Sequence, residues 1–153
     1  MTDIVSAAVR SRMMGGIKAT NTKPELQVRR FLHRQGFRYR LHDRGLCGKP
    51  DLVLKKHHCV IFVHGCFWHR HPGCRFATTP ATRPEFWLAK LNANRARDVT
   101  TQEKLMSTGW RVAVVWECAL RASPQATLDG LKGFILSSVK YQEFPGSQFP
   151  RTE

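Results

Sequence analysis

The sequence predicts a mixed-sheet α/β domain. Three observations point there: a helix opened by a capping signal at residues 22–25, three short strand-like runs between residues 37 and 63, and a long helical stretch that feeds another apolar run at residues 110–116. A chain of 153 residues, 42% of them apolar, can bury one core of its own. No repeat or change of composition marks a second domain.

Thr22-Lys23-Pro24-Glu25 opens the first helix, with Thr22 as cap, Pro24 in the first turn and Glu25 completing a capping box. Val28, Phe31 and Leu32 form its buried face, and Gly36 stops it. Phe37-Arg38-Tyr39-Arg40-Leu41 alternates as a strand does. A turn over Gly45 to Pro50 leads into Asp51-Leu52-Val53-Leu54, and Cys59 to Val63 forms the next strand, antiparallel to it and buried on both faces. A Cys/His-rich loop runs from His64 to Cys74. Glu85 to about Thr108 reads as a long helix, Trp110 to Trp116 as a strand, and Gln125 to Ser138 as the last helix. The order is α-β-β-β-α-β-α. Residues 1–20 read as a mobile basic arm, 21–140 as the folded domain, and 141–153, from Tyr141 on, as a flexible tail.

Charge narrows the partner. Lys and Arg number 25 against 11 acids, a net charge of +14. Each cation placed on a phosphate releases a condensed counterion, so such a surface favours nucleic acid, although ribosomal and membrane-surface proteins share it. Met1 to Met14 lacks an apolar stretch long enough for a signal peptide. The longest apolar run is Val60-Ile61-Phe62-Val63, so no membrane span is expected. A cytoplasmic protein with five cysteines points to metal or thiol chemistry rather than disulfides.

Cys66, His71, Cys74 and the distant Cys118 make a Cys₃His set suited to tetrahedral structural zinc. The alternative is a group of unlinked buried thiols. Cys47 and Cys59 fall outside the set, Cys59 as a core residue. His64 and His69 exceed what zinc needs. Pro50-Asp51 ends a turn and begins a strand, a placement that resembles the metal-binding acid of restriction-endonuclease-like nucleases. A carboxylate on a rigid strand end can hold Mg²⁺ against a scissile phosphate. The acid and lysine usual on the following strand are missing, since that strand reads Val60-Ile61-Phe62-Val63-His64. Asp98 falls on one helical stripe with Trp87, Leu91, Asn94 and Leu105, and so needs a histidine, a metal water or an arginine as partner.

Val60-Ile61-Phe62-Val63-His64-Gly65-Cys66-Phe67-Trp68-His69 resembles the central motif of the very short patch repair (Vsr-type) endonucleases. Pro50-Asp51, Arg83 to Leu88, Gly109 to Arg111, Trp116 to Leu120 and the arm residues Arg10, Ser11 and Met14 extend the likeness over roughly residues 8 to 121. It implies a restriction-endonuclease-like fold and Mg²⁺-dependent nicking of double-stranded DNA beside T·G mismatches. Asp51 would then be the shared ligand of two Mg²⁺ ions, with the Val63 backbone carbonyl as a further ligand. His69 would be the catalytic histidine, and Glu25, His64 and Asp98 would order the waters around the metal. Phe67 and Trp68 would insert beside the mismatch from the major groove, and Met14 from the minor groove. Other mismatch-repair proteins would be its partners, and a monomer its state. Position 63 is valine where well-known relatives carry threonine, a change that a backbone ligand survives. Glu25 keeps its alternative as a helix-capping acid, and Phe67 and Trp68 theirs as packing under the zinc loop. A nicking or restriction nuclease of other site preference is the rival enzyme; a non-catalytic zinc-stabilised DNA-binding module is the rival of another class.

Overall fold

A computed structural model of the chain describes residues 21–146. The arm expected at residues 1–20, with Met14, and the chain end at 147–153 lie outside the described residues. Helix α1 spans Lys23–Arg34, strand β1 Arg40–Leu41 and strand β2 Leu52–Leu54. A 3₁₀ turn over Lys55–His57 leads to β3 at Cys59–His64, and the long helix α2 covers Pro84–Ser107. Strand β4 at Arg111–Trp116, the short helix α3 at Glu117–Ala122, helix α4 at Pro124–Leu136 and strand β5 at Tyr141–Phe144 complete the order. The five strands form one mixed sheet in the order β1-β2-β3-β4-β5. β1, β2 and β3 pair antiparallel, whereas β3–β4 and β4–β5 are parallel, as crossovers through α2 and through α3–α4 require.

Alternation of side chains along β3 and β4 splits the core in two. Ile61, Ala113 and Val115 pack with Val28, Leu32, Leu128, Leu131 and Phe134 of α1 and α4. Val60, Phe62, Val112, Val114 and Trp116 face the other way, with Leu105 of α2. The sheet is thus flanked by helices on both sides, and the mixed α/β expectation holds. No helix among the described residues is long and apolar enough to cross a membrane.

The first helix begins as expected. Thr22 is the N-cap and accepts the Glu25 amide at 3.3 Å, while Val28, Phe31 and Leu32 are buried. The reciprocal arm of the capping box is displaced by one residue, because Glu25 Oε2 accepts the amide of Asn21 at 2.8 Å. The strand expected over Phe37 to Leu41 shrinks to its last two residues. β2 turns into the 3₁₀ segment after Leu54, so the ladder ends near Arg40↔Val53.

Two expectations near the C-terminus are corrected. The last helix is preceded by the separate α3, and the two meet at Ser123-Pro124, where proline cannot continue the first helix. The tail is not loose from Tyr141 on: Tyr141–Phe144 pairs in parallel with Val112–Val115. The open edge of β4 needs hydrogen-bond partners, and Phe144 supplies apolar anchorage, only 8% exposed. Gly130 of α4 makes room for that ring, since a Cβ there would stand 2.9 Å from Phe144.

Arg111, the first residue of β4, ties these parts together. Its guanidinium donates to the carbonyls of His57 (2.9 Å), Phe134 (2.9 Å), Ile135 (2.8 Å) and Val139 (3.3 Å), and lies 5.0 Å from the Phe134 ring centre. Charge-assisted bonds to the end carbonyls of α4 also suit the helix dipole. Arg111→Ala is expected to cost about 2–3 kcal/mol, because it orphans several carbonyls at once; a denaturant midpoint unchanged from the parent would refute this clamp.

Candidate functional site

β3 and β4 end together, with His64 opposite Trp116 in the last rung of their ladder. The loops leaving the two strands build the site at their carboxyl ends, where open parallel sheets place ligands. After His64 the chain coils tightly: the His69 amide donates to Gly65 O at 3.1 Å and the His71 amide to Cys66 O at 3.0 Å. Cys66 and His71 are thereby brought to one side of the turn, and Phe67, Trp68 and His69 to its outer part. Helix α2 holds that outer part. Asn94 donates to the Trp68 carbonyl at 3.3 Å, Arg95 to the Arg70 carbonyl at 3.4 Å, and Asp98 Oδ2 meets His69 Nδ1 at 2.6 Å. The helical stripe therefore delivers Asp98 to a histidine, one of the three partners its position called for.

Three clusters of ligand-type side chains result among the described residues. Cys66, His71, Cys74 and Cys118 have their ligand atoms within 4.8 Å of one another. Cys118 comes from α3, just past β4, so the cluster clips the Cys/His loop to the sheet. His64, His69 and Asp98 form the second cluster, with the two imidazoles stacked at 3.7 Å and 3°. Burial, helped by His69 and His71 nearby, holds His64 well below the ordinary imidazole range, so that ring is neutral.

Glu25, His42 and Asp51 form the third cluster. Asp51 stands just before β2, and its Oδ2 accepts the Val63 amide at 2.7 Å. The N–H of residue 63 is the group seen at this acid. Glu25 is 1% exposed; its Oε1 is held by Arg29 and His42, and its Oε2 by the Asn21 amide. One carboxylate thus serves the helix start and the cluster through different oxygens. His42 is the residue that sequence reasoning missed. Its backbone is left-handed (φ 47°), and its amide donates to the Asp51 carbonyl at 3.2 Å. Such strained non-glycine positions gather at functional sites, but nothing in Leu41-His42-Asp43 announces the conformation.

Phe67 and Trp68 are half-buried. Their rings lie 5.0 Å apart and 5.8 and 6.1 Å from Trp87 in the first turns of α2, with the Lys90 ammonium 5.8 Å from Trp68. They pack as a half-buried aromatic cluster against α2.

Comparison with known proteins places the chain in a family. The family model described as DNA mismatch endonuclease Vsr matches residues 2–75. The chain is 48% identical to the type II nicking enzyme V.XorIIP of Xanthomonas oryzae, over 78% of this chain and 88% of that protein. It is 44% identical to the DNA mismatch endonuclease Vsr of Escherichia coli, over 86% of this chain and 83% of the relative. The type II nicking enzyme V.NmeAIP of Neisseria meningitidis is 46% identical over 79% of this chain and 86% of its own.

The chain belongs to the Vsr family.

In this Vsr-family chain the donor sets fit two different metals. Three thiols and an imidazole suit tetrahedral zinc. Burial pushes the Cys66 and Cys118 thiols up, and the Cys74 thiol adds to it at both, so a soft dication would let them ionise together. The oxygen-bearing pair Glu25 and Asp51 suits a hard cation instead. Burial, opposed by the Val63 amide and reinforced by Glu25, raises Asp51 from 3.8 to about 6. A raised acid retains a proton in the folded chain that the unfolded chain has lost. Stability from this group therefore falls as pH rises from about 4 to about 6, and stays lower above it. Without added divalent ions, Asp51→Asn should raise the melting temperature at pH 7.5 by several degrees, up to about 3 kcal/mol, and barely change it at pH 4. Equal shifts at both pH values would show that burial does not perturb this carboxyl.

Proposed function

We propose that this protein is a cytoplasmic, Mg²⁺-dependent endonuclease that nicks one strand of duplex DNA beside T·G mismatches, the lesion left when 5-methylcytosine deaminates. The observation that carries the reading is the placement of His69: paired with Asp98 at 2.6 Å, stacked on His64, and adjacent in the chain to the rim aromatics Phe67 and Trp68. A phosphate-cleaving group and a base-stacking group then share one loop. The name of the Escherichia coli relative supports mismatch cleavage, and those of the other relatives support nicking. The protein acts as a monomer, and other mismatch-repair proteins take up the nick.

In this mechanism Asp51 and the Val63 carbonyl would hold the catalytic ions, with Glu25 beside them. Mg²⁺ bound there would supply positive charge to offset the charge that develops during cleavage. Asp98 orients the His69 ring through Nδ1, which leaves Nε2 to take a proton from the attacking water. The water oxygen forms its bond to phosphorus as the bond to the leaving sugar oxygen breaks. His64, neutral and buried, backs the His69 ring and excludes water from its inner face. Arg29 and His42 keep Glu25 from turning away. Cys66, His71, Cys74 and Cys118 would hold zinc, which would fix the loop that carries the catalytic histidine.

The deciding experiment incubates protein and Mg²⁺ with matched, T·G and other mismatched duplexes and maps the cut. A nick confined to the T·G duplex is expected, and cleavage indifferent to the mismatch would favour the rival nuclease of other site preference. Asp51→Ala should abolish nicking while DNA binding survives, and His69→Ala should slow it by roughly 10²–10⁴. Near-normal rates in both folded variants would remove Asp51 and His69 from the cleavage site, whereas no nicking of any duplex by the parent would leave a zinc-stabilised DNA-binding module as the better reading.

Metal analysis of freshly purified protein should find one zinc per chain, about the number a single Cys₃His site holds. Cys118→Ser should lose that zinc together with thermal stability; native protein without zinc would contradict the assignment.

Trp68→Ala should weaken binding and cleavage of T·G duplexes far more than binding to matched DNA, since stacking one ring on a base is worth about 1–3 kcal/mol. The salt dependence should hardly change, because no charge is lost. Equal losses on both duplexes would make Trp68 a packing residue.

A further inference from the structure

A column of aromatic rings joins the Cys/His cluster to the histidine pair. His71 lies flat on Trp116, with ring centres 4.1 Å apart and planes at 8°. The Trp116 indole meets His64 at 5.2 Å and 71°. His64 stacks on His69 at 3.7 Å and 3°, and His69 ends the column on Asp98. The strand register makes this possible. His64 and Trp116 are partners in the last rung of a parallel ladder, so their side chains stand side by side on one face. Both are nearly sealed, at 4% and 3% exposure.

Trp116 does not sit there for its polar atom. A buried indole ordinarily finds a partner for its N–H, yet among the described residues Trp116 Nε1 is buried and unbonded. What the ring offers is its surfaces: a flat face that covers His71 and a contact that closes one side of His64. A smaller apolar residue would fill the strand position without doing either.

We propose that Trp116 is a positioning residue, which braces the His64–His69 pair against the metal-binding cluster so that the cluster and the imidazole nearest the phosphate move as one body. The inference rests on the reading of His69 as the residue that acts in cleavage. Close-packed interiors transmit displacement because no slack separates neighbours. Without the indole, His64 gains space beside it, and His69 is oriented by Asp98 alone. Misplacement of a reacting group by about 1 Å can cost about 10²-fold in rate.

Trp110 provides the control. It lies just before the other end of β4, packs on the same core and touches His58 at 5.6 Å, remote in register from the column. The test compares Trp116→Leu, Trp116→Phe and Trp110→Leu for zinc content, melting temperature, kcat and KM on a T·G duplex, and the imidazole ¹⁵N signals of His64 and His69. Trp116→Leu should keep its zinc and a KM within about two-fold of the parent while kcat falls about 10–100-fold, and both imidazole signals should shift. Trp116→Phe should recover most of kcat. Trp110→Leu should lose stability and keep kcat.

An unchanged kcat or unmoved His64 and His69 signals in zinc-loaded Trp116→Leu would overturn the proposal, as would an equal loss of kcat in Trp110→Leu. Should Trp116→Leu fail to fold, the parent protein decides. Exchange of zinc for cadmium, which forms longer bonds to sulfur, should move the signals of His64 and His69 along with His71; movement at His71 alone refutes the brace. If His69→Ala cleaves normally, the reading of the cleavage site fails, while the imidazole signals still report on the column.

Discussion

β3 and β4 run parallel and in register over six rungs, from Cys59↔Arg111 to His64↔Trp116. Because parallel strands end at the same side of a sheet, the loops that leave them emerge next to each other. Cys66, His71 and Cys74 follow β3, Cys118 follows β4, and their ligand atoms converge although Cys74 and Cys118 are separated by the whole of α2 and β4. The same crossover sends α2 across this face and returns Asp98 to His69. Had β4 paired antiparallel, its Cys118 end would lie at the opposite edge, and neither cluster would close. Arg111 secures the other end of the ladder by bonding β4 to the close of α4.

Two acids in a strongly basic chain, Glu25 buried and Asp51 half-buried, illustrate how the fold divides chemical roles. Glu25 is surrounded by donors: Arg29, His42 and the Asn21 amide. Asp51 has the Val63 amide, and burial outweighs that bond, so its carboxyl rises to about 6. Similar groups a few ångströms apart thereby meet different fates. One is already partnered by the Arg29 guanidinium, and the other is left in a state that a proton or a metal ion relieves. That difference comes from which backbone and side-chain donors reach each oxygen, and the shared carboxylate chemistry gives no hint of it.

Much of the architecture was legible because its signals are local. Thr22 and Pro24 mark a helix start through backbone geometry within a few residues, and Gly36 marks its end. The runs at 59–63 and 110–116 are strands because branched and aromatic residues are continuous there. β5 was illegible for the opposite reason. Tyr141-Gln142-Glu143-Phe144 has little strand character of its own, and it forms because β4 has an unpaired edge and Gly130 leaves room for Phe144. The helix at Glu117–Ala122 is similarly hidden, with no side-chain cap to announce it. Phe67 and Trp68 could be read as unusual for a loop, but their packing against Trp87 depends on how α2 docks.

The sequence by itself determined the kinds of chemistry present: a basic surface for a polyanion, a Cys₃His set, a strand-leading Asp51, and a motif around His69 that marks the family. These follow from side-chain type and short spacing, which folding cannot alter. Only the tertiary structure decided which of these groups meet. His42 joins Glu25 and Asp51, Trp116 bridges His71 and His64, and Asp98 rather than another acid reaches His69. Each of those meetings spans a different pair of elements, set by strand register and helix docking, and no spacing along the chain encodes either one.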